Sequence, residues 1–259
     1  MNQSQIKKSL SKLALGEIKY FDSIGSTNDE ALARAAADAP DMSIIIADEQ
    51  TAGRGRLNRK WFTPKETALA FSLILRPTDE EKPHLSRTIG LAALAVAQSL
   101  QERGLIAQIK WPNDVLIAGR KVCGILMEAV WSGEDVDCVV IGIGVNVLKG
   151  SVPPAESLQF PATSLEEELG YPPKRLEILR DILAAFINIR QQITSDEFVT
   201  NWENLLAFRG ELVQVEANGA PGTVGSLVGL EPDGSLQLRN ERGESITVRF
   251  GDVRLRPLA

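Results

Sequence analysis

Four apolar segments between residues 107 and 147 follow one another with very short connections, and this spacing constrains the fold more than any other feature. Each segment has the length and composition of a β-strand. Parallel strands need a crossover connection of about a dozen residues or more, so these connections predict antiparallel hairpins. The segments are AQIKW, DVLI, KVCGILMEAV and VDCVVIGIGVNV.

Segments on either side add further strands and helices. Strand-like stretches are residues 17–23, 43–49 and 67–75, and helical periodicity marks residues 83–103, 176–189 and 195–208. Another helix is predicted over STNDEALARAAA, where Thr27 and Glu30 have the spacing of a capping box. The predicted fold class is α+β, with a mixed, largely antiparallel sheet flanked by helices.

The chain changes character at Gly210. After it come five short strand-like segments, separated by turns rich in Gly and Asp such as EPDGS. This pattern predicts a small β-barrel. We therefore expect two domains, residues 1–209 and residues 210–259.

Composition and charge narrow the class of protein. The formal net charge is -6, which suits non-specific nucleic-acid binding poorly because that binding depends on neutralising phosphates. Cys123 and Cys138 form no C-x-x-C motif and fit a reducing compartment. No apolar run approaches the roughly 20 residues that span a bilayer, and the N-terminus lacks the apolar core of a signal peptide. We expect a soluble, cytoplasmic protein with no membrane partner.

Missing residues exclude several catalytic arrangements. His84 is the single histidine, and no G-x-S-x-G motif supplies a nucleophilic serine. The sequence has no clustered His and Cys ligands for zinc and no P-loop motif. GIGVNV at Gly142–Val147 begins like a dinucleotide fingerprint, but Val147 stands where the third glycine belongs.

A basic loop, GRGRLNRKW from Gly53 to Trp61, directly follows a predicted buried strand. Glycines let a backbone approach a ligand closely, and arginines present forked donors that match phosphate or carboxylate oxygens. The loop has the composition of an anion clamp, although a solvated surface loop would look similar. Its position after a buried strand, with Trp61 and Phe62 as anchors, favours the clamp.

Two other motifs are predicted to carry polar groups. In KWPND, Lys110 ends a strand beside a tight reversal at Asn113-Asp114. STN, from Ser26 to Asn28, stands at a helix N-terminus, which can cap the helix and also receive a polar or anionic group.

Glycines interrupt two neighbouring strands. Alternation places Gly142, Gly144 and Asn146 on one face, and Gly124 lies on the strand before. Glycines inside strands often mark the close approach of a ligand, although a helix could also occupy the strip. We favour a flat ligand there, with Lys110 and the arginines closing over its anionic end.

Taken in order along the chain, these motifs resemble those of biotin–protein ligases. The matching stretches are STN, ADEQTAGRGRLNRKWFTP, ALAFSLILRP, KWPNDVLIAGRKVCGILME, IGIGVNV and GDVRLRP. The resemblance implies a catalytic domain related to class II aminoacyl-tRNA synthetases, followed by an SH3-like β-barrel. The implied reaction joins biotin to ATP as biotinyl-5′-AMP with release of pyrophosphate. Biotin then passes to a lysine of a biotin carboxyl carrier domain, the implied protein partner.

The resemblance also implies roles for single residues. Lys110 and Arg56 would be catalytic, stabilising the charge that develops as a carboxylate attacks the α-phosphate. The implied biotin-binding residues are Ser26, Thr27, Asn28, Gln50, Arg54, Gly55, Arg56, Lys110, Gly124, Gly142 and Gly144. The implied ATP- or adenylate-binding residues are Arg54, Arg56, Arg59, Trp61, Lys110 and Asn146. Magnesium would neutralise the leaving pyrophosphate, through ligands that the sequence does not identify.

Two departures from the family pattern bear on these expectations. Leu57-Asn58 stands where the family has a basic residue and then glycine, and we expect Asn58 to tolerate the left-handed conformation. About sixteen residues precede the first predicted strand, too few for the helix-turn-helix of repressor relatives. We therefore expect no sequence-specific DNA binding, and an exposed sheet edge leaves a homodimer open.

Two other classes of protein stay open on the sequence alone. A lipoate–protein ligase shares the implied fold and a catalytic lysine like Lys110, but the GRGR loop and the barrel favour biotin. A non-enzymatic protein would use the basic loop and barrel to bind RNA or a partner. Phe250 is the only aromatic residue of the predicted barrel, which argues against a stacking platform for RNA.

Overall fold

A mixed β-sheet forms the centre of the larger part of the molecule. The computed structural model describes residues 1–133, 135–217, 222–249 and 253–258. The strands of this sheet are β1 (Ile18–Phe21), β2 (Ser43–Ala47), β3 (Ala68–Leu75), β4 (Ala107–Lys110), β5 (Asp114–Ile117), β6 (Arg120–Ser132) and β7 (Asp135–Asn146). Their order is β1-β2-β3-β7-β6-β5-β4. The pairs are antiparallel apart from β1 and β2, which run parallel, and this confirms the predicted sheet.

Helices cover both faces of the sheet. The described helices are α1 (Gln3–Leu10), α2 (Thr27–Ala36), α3 (Thr88–Gln101), α4 (Leu165–Leu169), α5 (Arg175–Arg190) and α6 (Asp196–Asn204). α3 and α5 belong to the main hydrophobic core, together with residues such as Ile44 and Leu73. Ala31 of α2 packs instead with Ile45 and Ile74, which directly follow Ile44 on β2 and Leu73 on β3. Because neighbouring strand residues point to opposite faces, α2 lies on the other side of the sheet.

The predicted helix over residues 83–103 is divided in the structure. A 3-10 turn covers Lys82–Arg87, and α3 begins at Thr88. The Arg87 side chain is buried and donates hydrogen bonds to the carbonyl oxygens of Ile193 at 2.8 Å and Pro232 at 2.8 Å. Arg87 therefore links the start of α3 to the C-terminal part of the chain.

The C-terminal residues form a second, antiparallel sheet. Its described strands are β8 (Leu212–Ala217), β9 (Thr223–Leu230), β10 (Leu236–Arg239), β11 (Ser245–Val248) and β12 (Val253–Pro257), in the order β11-β10-β9-β8-β12. The turn between β9 and β10 contacts the larger sheet, where the Trp111 indole donates to the Gly234 carbonyl at 3.1 Å. The prediction about Phe250 lies outside the described residues, and the domain boundary at residue 210 stays a prediction.

Close packing at Gly90 gives a test of the helical core. A β-carbon added at Gly90 in α3 would lie 2.4 Å from ring carbons of Trp202, which is itself fully buried in α6. We expect Gly90→Ala to lower the free energy of unfolding by about 1–3 kcal/mol, because neither group can move without disturbing the core. Urea unfolding measures the change. Gly25→Ala, where an added β-carbon meets nothing within 4 Å, is the matched control. Equal stability of the two variants would contradict the packing.

Candidate functional site

A cavity of about 520 Å³ opens between the N-terminus of α2, the loop after β2, the β4–β5 turn and strands β6 and β7. Every site residue singled out in the sequence lines it. These residues are Ser26, Thr27, Asn28, Gln50, Arg54, Gly55, Arg56, Arg59, Trp61, Lys110, Gly124, Gly142, Gly144 and Asn146. The structure thus brings them together, while their chemical roles stay predictions. His84 lies in the 3-10 turn and is not among the lining residues.

The N-terminus of α2 forms a polar end of the cavity. The N-cap is Ser26, whose side chain accepts from the Asp29 N–H, so the predicted capping box with Thr27 as the cap is wrong. Thr27 is the first helical residue, and its backbone N–H and hydroxyl both donate to Gln50 Oε1, at 2.8 and 3.0 Å. Thr27 is therefore engaged with the loop that follows β2. Glu30 pairs with Arg34 one turn along the helix.

Gly124, Gly142 and Gly144 on β6 and β7, the glycine strip, leave space for two side chains of the cavity wall. Gly124 and Gly144 are paired across β6 and β7. A β-carbon at Gly144 would lie 2.3 Å from the indole of Trp61, and one at Gly142 would lie 2.2 Å from Asn28 Oδ1. The glycines are required because Trp61 and Asn28 lie directly on the strands.

The basic loop closes over one side of the cavity. The backbone N–H of Trp61 donates to the Gly53 carbonyl at 2.9 Å, and the backbone N–H of Gly55 donates to the Arg59 carbonyl at 2.7 Å. Leu57 has a φ of 58°, so Leu57 takes the left-handed conformation that we expected at Asn58. A β-carbon penalises that conformation, and the bonds across the loop hold Leu57 in it. Arg56 donates to Asn113 Oδ1 at 3.0 Å, which ties the loop to the β4–β5 turn.

A cluster of two lysines and one aspartate lies at the basic end of the cavity. Lys110 ends β4, and its Nζ is 3.7 Å from Asp114 Oδ2. Lys121 Nζ is 2.6 Å from Asp114 Oδ1. Although burial opposes ionisation of Asp114, the lysines hold the pKa of this carboxyl below its ordinary value. Asp114 is therefore an anion between two ammonium groups.

Burial lowers the pKa of Lys110 to about 8, because water is largely excluded from its ammonium group. The negative charge of Asp114 opposes this shift, while the positive charges of Arg256, Lys121 and Arg59 add to it. The Phe160 ring faces the same ammonium, 4.4 Å from its centroid. Lys110 thus changes charge slightly above neutral pH.

Lys121 is a cavity residue that the sequence analysis missed. Residues 121 and 124 would point to opposite faces of a regular strand. The β5–β6 pairing, however, places Gly124 opposite Asp114 and Lys121 opposite Leu116, with a register shift between them. A bulge of this kind re-aims a side chain. It brings Lys121 to Asp114 and over the Trp61 ring, at 5.4 Å.

Other side chains of the wall are held by the protein itself. Arg54 pairs with Asp29 and Glu128, and Asn146 donates to the Thr163 carbonyl at 3.1 Å. Trp61 Nε1 is buried and has no hydrogen-bond partner in the part of the chain that is described. Phe160 and Arg256, from distant parts of the chain, also line the cavity and were not predicted. The Arg256 Cζ lies 5.9 Å from the centroid of the Phe160 ring.

The described residues contain no cluster of three His, Cys, Asp or Glu side chains suited to hold a metal ion. Within the same part of the chain, every helix is too short or too polar to cross a membrane.

The fold and the cavity agree with comparisons to known proteins. A sequence profile of the Biotin/lipoate A/B protein ligase family matches residues 20–146. This range contains the STN motif, the basic loop, the KWPND turn and the glycine strip, and so defines a protein of the biotin- and lipoate-attaching class.

Individual relatives identify the branch of that class. The chain is 34% identical over 251 residues to the Bifunctional ligase/repressor BirA of Bacillus spizizenii, covering 94% of this chain and 76% of the relative. It is 34% identical over 234 residues to the Biotin--[acetyl-CoA-carboxylase] ligase of Paracoccus denitrificans, covering 85% of this chain and 93% of the relative. The structure of the biotin protein ligase from Aquifex aeolicus in complex with biotin and ATP is similar with a TM-score of 0.80 and 29% identity. That similarity covers 93% of this chain and 99% of the Aquifex chain. The chain therefore belongs to the biotin–protein ligase family.

Proposed function

We propose that this ligase activates biotin with ATP as biotinyl-5′-AMP and transfers biotin to a lysine of a carboxyl-carrier domain. The observation that carries the proposal is a cavity with two chemically different ends. Neutral hydrogen-bonding groups of Thr27, Asn28 and Gln50 line one end, and Arg56, Lys110 and Lys121 line the other. Biotin has a neutral cyclic urea and a carboxylate at opposite ends, so its two ends match those of the cavity.

The first reaction step needs positive charge at the basic end. A biotin carboxylate oxygen attacks the α-phosphorus of ATP, and the bond from that phosphorus to the bridging oxygen breaks as pyrophosphate leaves. Both reactants are anions, so the transition state gathers negative charge. Lys110, Lys121 and Arg56 stabilise it, and preorganised charges of this kind are among the largest contributions to catalysis.

Magnesium enters as part of the nucleotide substrate. The described residues offer no cage for the ion, and magnesium in nucleotide sites is commonly held by substrate phosphates with one or two carboxylates. When bound, magnesium supplies countercharge to the pyrophosphate group.

The second step transfers the acyl group. The carrier lysine, as a neutral amine, attacks the biotinyl carbonyl, the bond from the carbonyl carbon to the phosphate oxygen breaks, and AMP leaves. The amine loses a proton in forming the amide. The basic loop shields the mixed anhydride from water until the carrier lysine arrives.

Transfer to a protein tests the whole proposal. The chain is incubated with biotin, MgATP and a purified carboxyl-carrier domain, and intact mass is measured, with a lipoyl domain and lipoate as the parallel reaction. We expect biotin on the carrier domain and no modification of the lipoyl domain. Modification of the lipoyl domain alone would support the lipoate–protein ligase alternative. No modification of either would favour a non-enzymatic role of the basic loop.

The pKa of Lys110 gives a pH prediction. Lys110 is charged below about pH 8 and neutral above it, so charge stabilisation is present below this pH and lost as the pH rises. We expect kcat/KM for biotin in pyrophosphate exchange, which reports the free enzyme, to fall about tenfold per pH unit above pH 8. Lys110→Arg, whose guanidinium stays charged, is expected to remove the fall. A wild-type rate that stays constant to pH 9.5 would show that Lys110 charge is not required.

Location, oligomeric state and DNA binding complete this proposal. A cytoplasmic location stays a prediction, a homodimer stays open, and the oligomeric state is measurable by sedimentation equilibrium. Sequence-specific DNA binding is not expected, and a gel shift with a defined operator complex would overturn that expectation.

A further inference from the structure

A buried serine beneath the polar end of the cavity connects two of its lining residues. Ser72 lies on β3, is fully buried, and does not line the cavity. Its Oγ is 2.6 Å from Asn28 Oδ1 and 2.8 Å from Thr27 Oγ1. Ser72 is paired with Gly142, and the absence of a side chain there leaves space for Asn28 to reach it.

The orientation of the Asn28 amide follows from its neighbours. The Asn28 Nδ2 group donates to Glu128 Oε2 at 2.7 Å and to the Leu126 carbonyl at 3.3 Å. Both partners can only accept, so the atom that faces Ser72 is the amide oxygen. Because Oδ1 accepts and never donates, the Ser72 hydroxyl donates to Asn28.

The Thr27 proton is also used inside the protein. Thr27 Oγ1 donates to Gln50 Oε1 at 3.0 Å and accepts from Ser72 Oγ at 2.8 Å, so Ser72 shares its proton between Thr27 and the shorter contact to Asn28. The bond to Gln50 keeps the Thr27 proton away from the cavity. The lone pairs of Thr27 Oγ1 and Asn28 Oδ1 that stay free can only accept hydrogen bonds.

We propose that Ser72 is a positioning residue that fixes Thr27 and Asn28 as acceptors for the N–H groups of a cyclic urea ligand. The inference rests on the proposed function, in which biotin supplies those N–H groups. Ser72 touches no substrate and acts through its two neighbours. Its hydroxyl therefore contributes to selectivity for biotin and not to adenylation chemistry.

Steady-state pyrophosphate exchange with Ser72→Ala tests this role. We expect KM for biotin to rise about tenfold, as a partner is left without its buried hydrogen bond, while kcat and KM for ATP stay within about twofold. The wild-type preference for biotin over biotin methylated on one urea nitrogen is expected to shrink, because the analogue lacks one of the N–H donors. Ser99→Ala removes another buried serine hydroxyl, which donates to the Val96 carbonyl, and is expected to leave all these values unchanged.

Ser72→Cys, which keeps the size but weakens the donor, serves as a second variant should Ser72→Ala fold poorly. An unchanged KM for biotin in the folded variants would overturn the proposal. A fall in kcat and a rise in KM for ATP as large as the change in KM for biotin would also overturn it. Absence of biotin-dependent exchange in the wild type would instead reject the proposed function, so the two failures are distinguishable.

Discussion

Replacing Lys110 by alanine is expected to reduce biotin-dependent exchange of pyrophosphate into ATP by about 10²- to 10³-fold, the usual effect of removing one preorganised charge. The reason is the position of the Lys110 ammonium, buried at the basic end of the cavity within 3.7 Å of Asp114. Isotope exchange measures the effect directly, because it requires the first step alone.

Lys12→Ala, which removes an exposed lysine just after α1, is the control and is expected to keep wild-type exchange. Lys121→Ala is measured in parallel, because Lys121 shares Asp114 with Lys110. Full activity of Lys110→Ala with loss in Lys121→Ala would assign the catalytic charge to Lys121 alone. That result would contradict the role given to Lys110.

Asp114→Asn is expected to lower both stability and activity. The substitution removes the only negative charge between Lys110 and Lys121 in the described cluster, and breaking a buried ion pair costs about 3–5 kcal/mol. Because the lysines also face the cavity, we expect the free energy of unfolding, measured in urea, to fall by about 3 kcal/mol, at the lower end of that range. Asp114 raises the pKa of Lys110, so its loss leaves more of Lys110 neutral at pH 8. The rate of exchange is therefore expected to fall more at pH 8 than at pH 6.5.

Asp79→Asn provides the matched control for this variant. Asp79 pairs with Lys82 on the surface, where ion pairs contribute little, so its unfolding transition is expected to stay at the wild-type position. An Asp114→Asn protein with wild-type stability and an unchanged pH profile would show that the aspartate is dispensable to the cluster.

Much of the fold follows from the chain of short connections. Between residues 107 and 147 the connections are too short for crossovers, and the antiparallel order of β4 to β7 results. The predicted mixed sheet did not specify that β1 and β2 form its parallel pair. Here α2 lies between the strands in the chain and supplies the crossover, but strand periodicity alone does not tell which strands become neighbours.

Site residues within continuous motifs were easier to predict than those that tertiary contacts supply. The STN motif, the basic loop and the glycine strip meet in the cavity because strand ends and alternation constrain them. Lys121 was not predicted because a bulge interrupts the alternation of side chains along the strand. The left-handed conformation of Leu57 was not predicted because hydrogen bonds across the loop override the preference of a residue with a β-carbon. Arg256 reaches Phe160 from the end of the chain, a contact that no local pattern contains.

The most direct test of the central claim is pyrophosphate–ATP exchange by the wild-type protein with magnesium and biotin, lipoate or no acid. The proposed function predicts exchange with biotin and none above background with lipoate or without acid. Exchange with lipoate alone, or none with either acid, would contradict the assignment of the cavity to biotin activation.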